Sequence, residues 1–173
     1  MPPGAVRGAT GVVSSRDCAE LMSQFPTGVV VVTAHAPPAE PCGLTCSSLV
    51  SVTLEPPTLL VSVRRASPVL RVIRSTGVFA VNLLHADGEK AARIFSSAVP
   101  ERFRKVTWQA SPALGLPWLV EDAFAVAECR LTQTHEVGDH VLVLGRVLRI
   151  ERAACTSPLL YGLRRFASWP SVG

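Results

Sequence analysis

At 173 residues the chain is the size of one domain, and its net charge of +4 is the balance of 17 Lys+Arg against 13 Asp+Glu. No basic run exceeds two residues and only 6% of residues are aromatic, which argues against nucleic-acid binding and favours a small anionic ligand. Hydrophobic residues make up 48% and mean hydropathy is +0.33, yet no apolar run approaches the roughly 20 residues of a membrane span, so the surplus points to a buried interface between copies of the chain.

Residues 1–14 read as a disordered tail without an apolar core of secretory length, and residues 15–170 as a single domain. Ser15 to Gln24 is predicted helical, capped by Ser15, with Ala19, Leu21 and Met22 on a partial apolar face. Phe25-Pro26-Thr27-Gly28 ends it, and the β-branched run Val29 to Ala34 is a strand. His35 to Pro41 is a proline-rich loop. Gly43 to Thr53 and Thr58 to Arg64 are strands divided by Glu55-Pro56-Pro57. Pro68 to Ser75 is a helix, Gly77 to Leu84 a strand, and Asp87 to Phe95 a helix turning Ala91, Ala92, Ile94 and Phe95 inward. Val99 to Leu119 is irregular. Phe124 to His135 and His140 to Arg152 form a long hairpin with Gly138 in its turn. The absence of βαβ alternation makes the expected class mainly β, a barrel or sandwich with a few short helices.

The candidate chemistry lies in three places. Ser67 occupies an N-cap position and Pro68 the first helical position, so the helix start offers backbone N–H groups and a positive dipole end beside Arg64 and Arg65; an anion, above all a phosphate, suits it. One strand earlier, the stretch Gly43 to Pro57 interleaves Thr45, Ser47, Ser48, Ser51 and Thr53 with β-formers, leaving hydroxyl and backbone groups for a polar planar ligand. His140 follows the Gly138-Asp139 turn and is placed to orient a carbonyl or amide. No Gly-x-Gly-x-x-Gly follows a strand, so a Rossmann site is not expected. Nor is there a Gly-x-Ser-x-Gly nucleophile. Cys18, Cys42, Cys46, Cys129 and Cys155 are odd in number and lack zinc spacing, so reduced thiols in a cytoplasm, and no metal, are expected.

Five segments, in order, are similar to motifs of the flavin reductase-like family, the reductase components of two-component flavin-dependent monooxygenases. They are Phe25 to Thr33, Gly43 to Pro57, Phe79-Ala80-Val81-Asn82-Leu83-Leu84, Ala92 to Phe95 with Arg102-Phe103, and Gly138-Asp139-His140 with Leu144 to Val147. The resemblance covers about Leu21 to Trp169. It implies a homodimeric FMN-binding split barrel that takes FMN or FAD, with NADH or NADPH as hydride donor to flavin N5. It implies that Thr45, Cys46, Ser47, Ser48, Leu49 and Val50 line the ring and ribityl chain. Ser62, Val63, Arg64, Arg65 and Ser67 would lead to and hold the phosphate, and Asn82 and Phe103 would close the pocket. Pro26, Thr27, Gly28, Tyr161, Arg165 and Phe166 would lie near the nicotinamide, with His140 orienting its carboxamide or stabilising the reduced flavin. The implied partner is a monooxygenase that receives free reduced flavin. A split-barrel enzyme that keeps its flavin and acts on an organic substrate, and a flavin carrier or sensor without turnover, stay open.

Overall fold

The computed structural model describes residues 12–154 and 157–169. The expected N-terminal tail lies outside the described residues up to position 11, and its last residue belongs to the first helix's cap. Helix α1 (Ser15–Ser23) is capped by Ser14 rather than Ser15: Ser14 Oγ accepts from Asp17 N at 3.1 Å and donates to the Asp17 carboxylate at 2.7 Å. The acidic residue three positions on decides between the two serines, because it completes a reciprocal cap.

Strands β1 (Thr27–Gly28) and β2 (Val30–Ala34) follow, and β2 is buried at every position. Its alternation explains this. Val30, Val32 and Ala34 enter one apolar cluster, while Val31, with Val29 just before the strand, enters a second. A strand with core on both faces reads as an unbroken β-branched run.

The predicted Gly43–Thr53 strand is two strands, β3 (Cys42–Cys46) and β4 (Val50–Leu54), interrupted at residues 47–49. Strand β5 (Pro57–Arg64) leads to α2 (Pro68–Thr76), whose cap is Ser67 as expected and which ends on Gly77 at φ +71°. After β6 (Val78–Leu84), a short 3-10 turn enters α3 (Glu89–Ser96). The irregular stretch holds a second 3-10 turn at Arg102–Lys105 and the two-residue strands β7 (Gln109–Ala110) and β8 (Pro117–Trp118). The hairpin is β9 (Ala123–Val137) and β10 (His140–Arg152), closed with Gly138 at φ +57° in the first turn position. A second hairpin, β11 (Leu159–Gly162) and β12 (Arg165–Ser168), pairs with β1 and was not foreseen from the sequence.

The main sheet has seven strands in the order β3-β2-β6-β9-β10-β5-β4. Strands β3 and β4 are consecutive in sequence but stand at opposite ends of that order. The connector of residues 47–49 spans about 15 Å at most. The sheet must therefore curl until the end of β3 comes within reach of the start of β4, which makes it a barrel split between those two strands, with β4 left as an exposed edge. Ser48 fixes the seam, its hydroxyl accepting from Ser62 N on β5 at 2.9 Å. The barrel interior is the first cluster, with Val61, Ile73, Phe79 and Val143 fully buried in it. Helix α3 covers the second.

Buried polar groups tie the irregular stretch to the barrel. The Asn82 amide donates to Val31 O, Thr33 Oγ1 and Pro117 O, each at 3.2 Å, and its oxygen accepts from Leu119 N at 2.9 Å. The fully buried Glu128 carboxylate accepts from Ala113 N and Leu114 N. Asn82→Ala strands Leu119 N–H inside the core and is expected to cost about 2–4 kcal/mol, read as a fall in Tm of about 5–10 °C. An unchanged melting curve would show that this network does not hold the loop.

Candidate functional site

A cavity of about 850 Å³ opens between the β3 face, the β5–α2 junction and the segment after α3. Of the residues singled out in the sequence, Thr45, Ser62, Val63, Arg64, Ser67, Phe103 and His140 line it. Barrel closure brings Thr45 on β3 across to Ser62, Val63 and Arg64 on β5, and strand pairing adds His140. Arg64 and His140, 76 positions apart, are direct cross-strand partners of β5 and β10.

Arg64 and Ser67 stand together at one end, an arrangement that suits an anion. Ser67 Oγ accepts from Val69 N at 3.3 Å, and Pro68 has no N–H, so the positive end of α2 acts through its dipole together with Arg64 rather than through a full set of free amides. Arg65 is not part of it. Its Nη2 donates to Gly138 O at 2.6 Å and lies 3.3 Å from Glu136, and its N–H goes to Asp139 O. Arg65 stands just past the end of β5, in the turn before α2, and its side chain runs to the β9–β10 turn instead of into the cavity. It braces the hairpin turn next to His140.

His140 Nδ1 lies 2.7 Å from the Asp139 carboxylate, which holds the ring orientation and leaves Nε2 as the free nitrogen. The same hydrogen bond, reinforced by the charge of the ring, lowers the Asp139 pKa from the ordinary carboxylate value. On the opposite wall Thr45 Oγ1 donates to Ala92 O at 2.6 Å, which docks α3 on β3. Gly43 is required there, since a Cβ would stand 2.9 Å from the Phe95 ring. The rings of Phe95 and Phe103 meet edge-on at 5.0 Å behind it. Arg102, which sequence reasoning used only as a motif position, clamps the wall. It donates to Gly43 O at 3.0 Å, to Val99 O at 3.2 Å and to Ser97 O. Cys42 also lines the cavity, and burial pushes its thiol up to about 11, against the opposing effect of its bond to Ala34 O, so it is no nucleophile at neutral pH.

A second cavity, of about 300 Å³, shares Thr45 and Ser96 with the first and contains Ser47, Tyr161 and Phe166. Pro26, Thr27 and Gly28 reach neither cavity. Thr27 and Gly28 pair with Tyr161 and Leu160, and Pro26 packs against Gly162, so this turn supports the β11–β12 hairpin from behind. Arg165 also misses the cavity; its neighbour Arg164 lines it, together with Arg93.

Other expected wall residues face elsewhere. Cys46 is buried in the barrel core, Leu49 packs on that core, and Val50 is on the exposed strand β4. The Ser48 hydroxyl is taken up by Ser62 and Cys46. Asn82, expected to close the pocket, is fully buried with its amide committed to the interior network; it holds the fold and lines neither cavity. No group of three or more His, Cys, Asp or Glu side chains suited to a metal occurs among the described residues.

The family model described as "Flavin reductase like domain" matches residues 22–170. The chain belongs to the flavin reductase-like family. A flavin reductase (NADPH) of Lentzea aerocolonigenes is 52% identical over 161 residues, covering 93% of this chain and 94% of that protein. The NADH:FAD oxidoreductase SgcE6 of Streptomyces globisporus C-1027, solved in complex with NAD and FAD fragments, is 33% identical with a TM-score of 0.83, covering 93% of this chain and 98% of its own. BorF, the flavin reductase component of a bacterial two-component tryptophan halogenase, is 31% identical with a TM-score of 0.83, covering 92% of this chain and all of its own. The mainly β architecture is accordingly the split barrel of the flavin reductases.

The cavity suits a flavin mononucleotide moiety: a polar anion end at Arg64 and Ser67, a backbone-rich wall at Gly43 to Thr45, and an apolar floor at Phe95 and Phe103. Arg64→Ala is expected to weaken FMN binding about tenfold, and Arg65→Ala less than about twofold, in a fluorescence-quenching titration. Equal losses would place the phosphate elsewhere.

Proposed function

We propose that this protein is an NAD(P)H-dependent flavin reductase that takes FMN or FAD into the larger cavity and releases the reduced flavin to a separate flavin-dependent monooxygenase. The observation that carries this reading is the convergence in one cavity of an anion end, a glycine-opened strand wall and an oriented histidine, beside a second cavity that meets it at Thr45. When bound, the flavin supplies the hydride acceptor and the reduced nicotinamide supplies the hydride.

The chain's own work is positioning, which governs reactions that need little acid–base help. Arg64 and the start of α2 hold the flavin phosphate. The wall at Gly43 and Thr45, stiffened by Arg102 and α3, sets the position of the ring. His140, held by Asp139, presents Nε2 to the carboxamide of the donor or to the flavin edge. Tyr161 and Phe166, with rings 5.1 Å apart, give the donor an aromatic boundary.

The same reading makes the protein a cytoplasmic homodimer. Cys18, Cys42, Cys46 and Cys129 are free thiols, which suits a reducing compartment. Strand β4 ends the sheet and is exposed along its whole length; Val50, Val52 and Leu54, the last 80% exposed, recur at every second position. Leu148 and Ile150 on β10 add exposed apolar surface. An uncovered apolar edge is an aggregation hazard, and a second copy is the simplest cover.

The deciding assay follows NADH or NADPH absorbance with and without added FMN or FAD. Oxidation that requires free flavin and saturates with it is expected. Oxidation by a tightly held flavin, indifferent to added flavin, would replace release to a partner with direct action on an organic substrate; flavin binding without oxidation would remove the enzyme reading. Light scattering should give twice the 18.4 kDa chain mass, and Val52→Lys should lower it toward one. A native protein that runs as a monomer would refute the dimer.

A further inference from the structure

The larger cavity already has its anion site at Arg64 and Ser67. The smaller cavity holds a second set of cations, Arg93 and Arg164, for which a flavin phosphate at the first site leaves no use. The two are not equivalent. Arg93 is paired with Glu89 at 2.7 Å and lies over the Phe166 ring at 4.9 Å, so its guanidinium is already engaged within the wall. Arg164 carries no ion pair among the described residues. It sits at the tip of the β11–β12 turn, exposed, with φ +60°, directly after Leu163 at φ +51°. A two-residue turn with both positions left-handed is ordinarily made of Asn and Gly. Here an arginine fills the second position, and the turn sets it on the cavity rim.

The two cavities meet at Thr45, next to the wall assigned to the flavin ring. The smaller cavity, which opens from that wall, has room for the adenosine end of a donor whose nicotinamide reaches the ring, and Arg164 stands at its rim. NADPH differs from NADH only by a 2′-phosphate on that end. A phosphate carries close to two negative charges near neutrality, and a guanidinium not engaged by a carboxylate can meet it with two parallel hydrogen bonds.

Building on the flavin reductase reading, we propose that Arg164 is a specificity residue that binds the 2′-phosphate of NADPH at the rim of the smaller cavity. The anion end at Arg64 then serves the flavin, and Arg164 the donor.

The test compares native protein with Arg164→Asn, which removes the charge but tolerates the left-handed backbone, and Arg164→Lys, which keeps the charge. With flavin saturating, Arg164→Asn should lower the ratio of kcat/KM for NADPH to that for NADH by about tenfold or more. Arg164→Lys should restore part of it, and the KM for flavin should not move. A second readout needs no turnover: the native protein should bind 2′,5′-ADP at least about tenfold more tightly than 5′-AMP, and Arg164→Asn should abolish that difference. An equal loss with both donors would mean that Arg164 meets a group they share or only shapes the turn, and would overturn the proposal. So would an unchanged ratio, or 2′,5′-ADP and 5′-AMP binding alike to the native protein. If 2′,5′-ADP binds through Arg164 while neither donor reduces flavin, the reductase reading fails and the phosphate site stands.

Discussion

The meeting of the site's two walls depends on one topological constraint: β3 and β4 follow each other in the chain but end opposite sides of a seven-stranded sheet. Three residues must bridge them, so the sheet has to close. Closure carries β3, with Gly43 and Thr45, across to β5 and the start of α2, with Ser62, Arg64 and Ser67. The Ser48 hydroxyl holds the seam from the connector itself, which is why a serine-rich stretch is useful there even where its hydroxyls do not face the cavity. The hydroxyl takes the place of a ladder carbonyl for Ser62 N, and that exchange marks the corner of the barrel.

Polar groups inside the protein fix what the barrel alone would leave loose. The segments after α3 contain little regular structure, yet Arg102, Asn82 and Glu128 give most of their hydrogen-bonding capacity to backbone groups of those segments or of the strand beside them. Buried amides and carboxylates are costly unless satisfied, so each such staple specifies one conformation of its loop. The cavity wall inherits that rigidity through Gly43, whose carbonyl Arg102 holds and whose missing side chain admits the Phe95 ring.

Charge is divided between the two cavities. Arg64 and the dipole of α2 face one end, Arg93 and Arg164 the other, and His140 lies in the larger cavity on the carboxylate of Asp139. The modest net charge of +4 is therefore less informative than its placement. Several arginines are spent on structure, as Arg65 on the hairpin turn and Arg102 on three carbonyls, and only a few remain to meet an anion.

The sequence by itself determined the mainly β class, the long β9–β10 hairpin, the cap of α2 and the family, because these are written in local alternation, turn chemistry and ordered motifs. Helix and strand limits came out within a few residues for the same reason. Tertiary structure alone decided the break at residues 47–49, the return of β11 and β12 to β1, and which neighbours face the cavity. Arg64 rather than Arg65, and Arg164 rather than Arg165, are outcomes of where a strand gives way to a turn, and Asn82 in the core rather than at the pocket is an outcome of strand pairing. A strand's pattern says that successive side chains part company, but not which of its faces meets the ligand; that is settled only when distant strands pair.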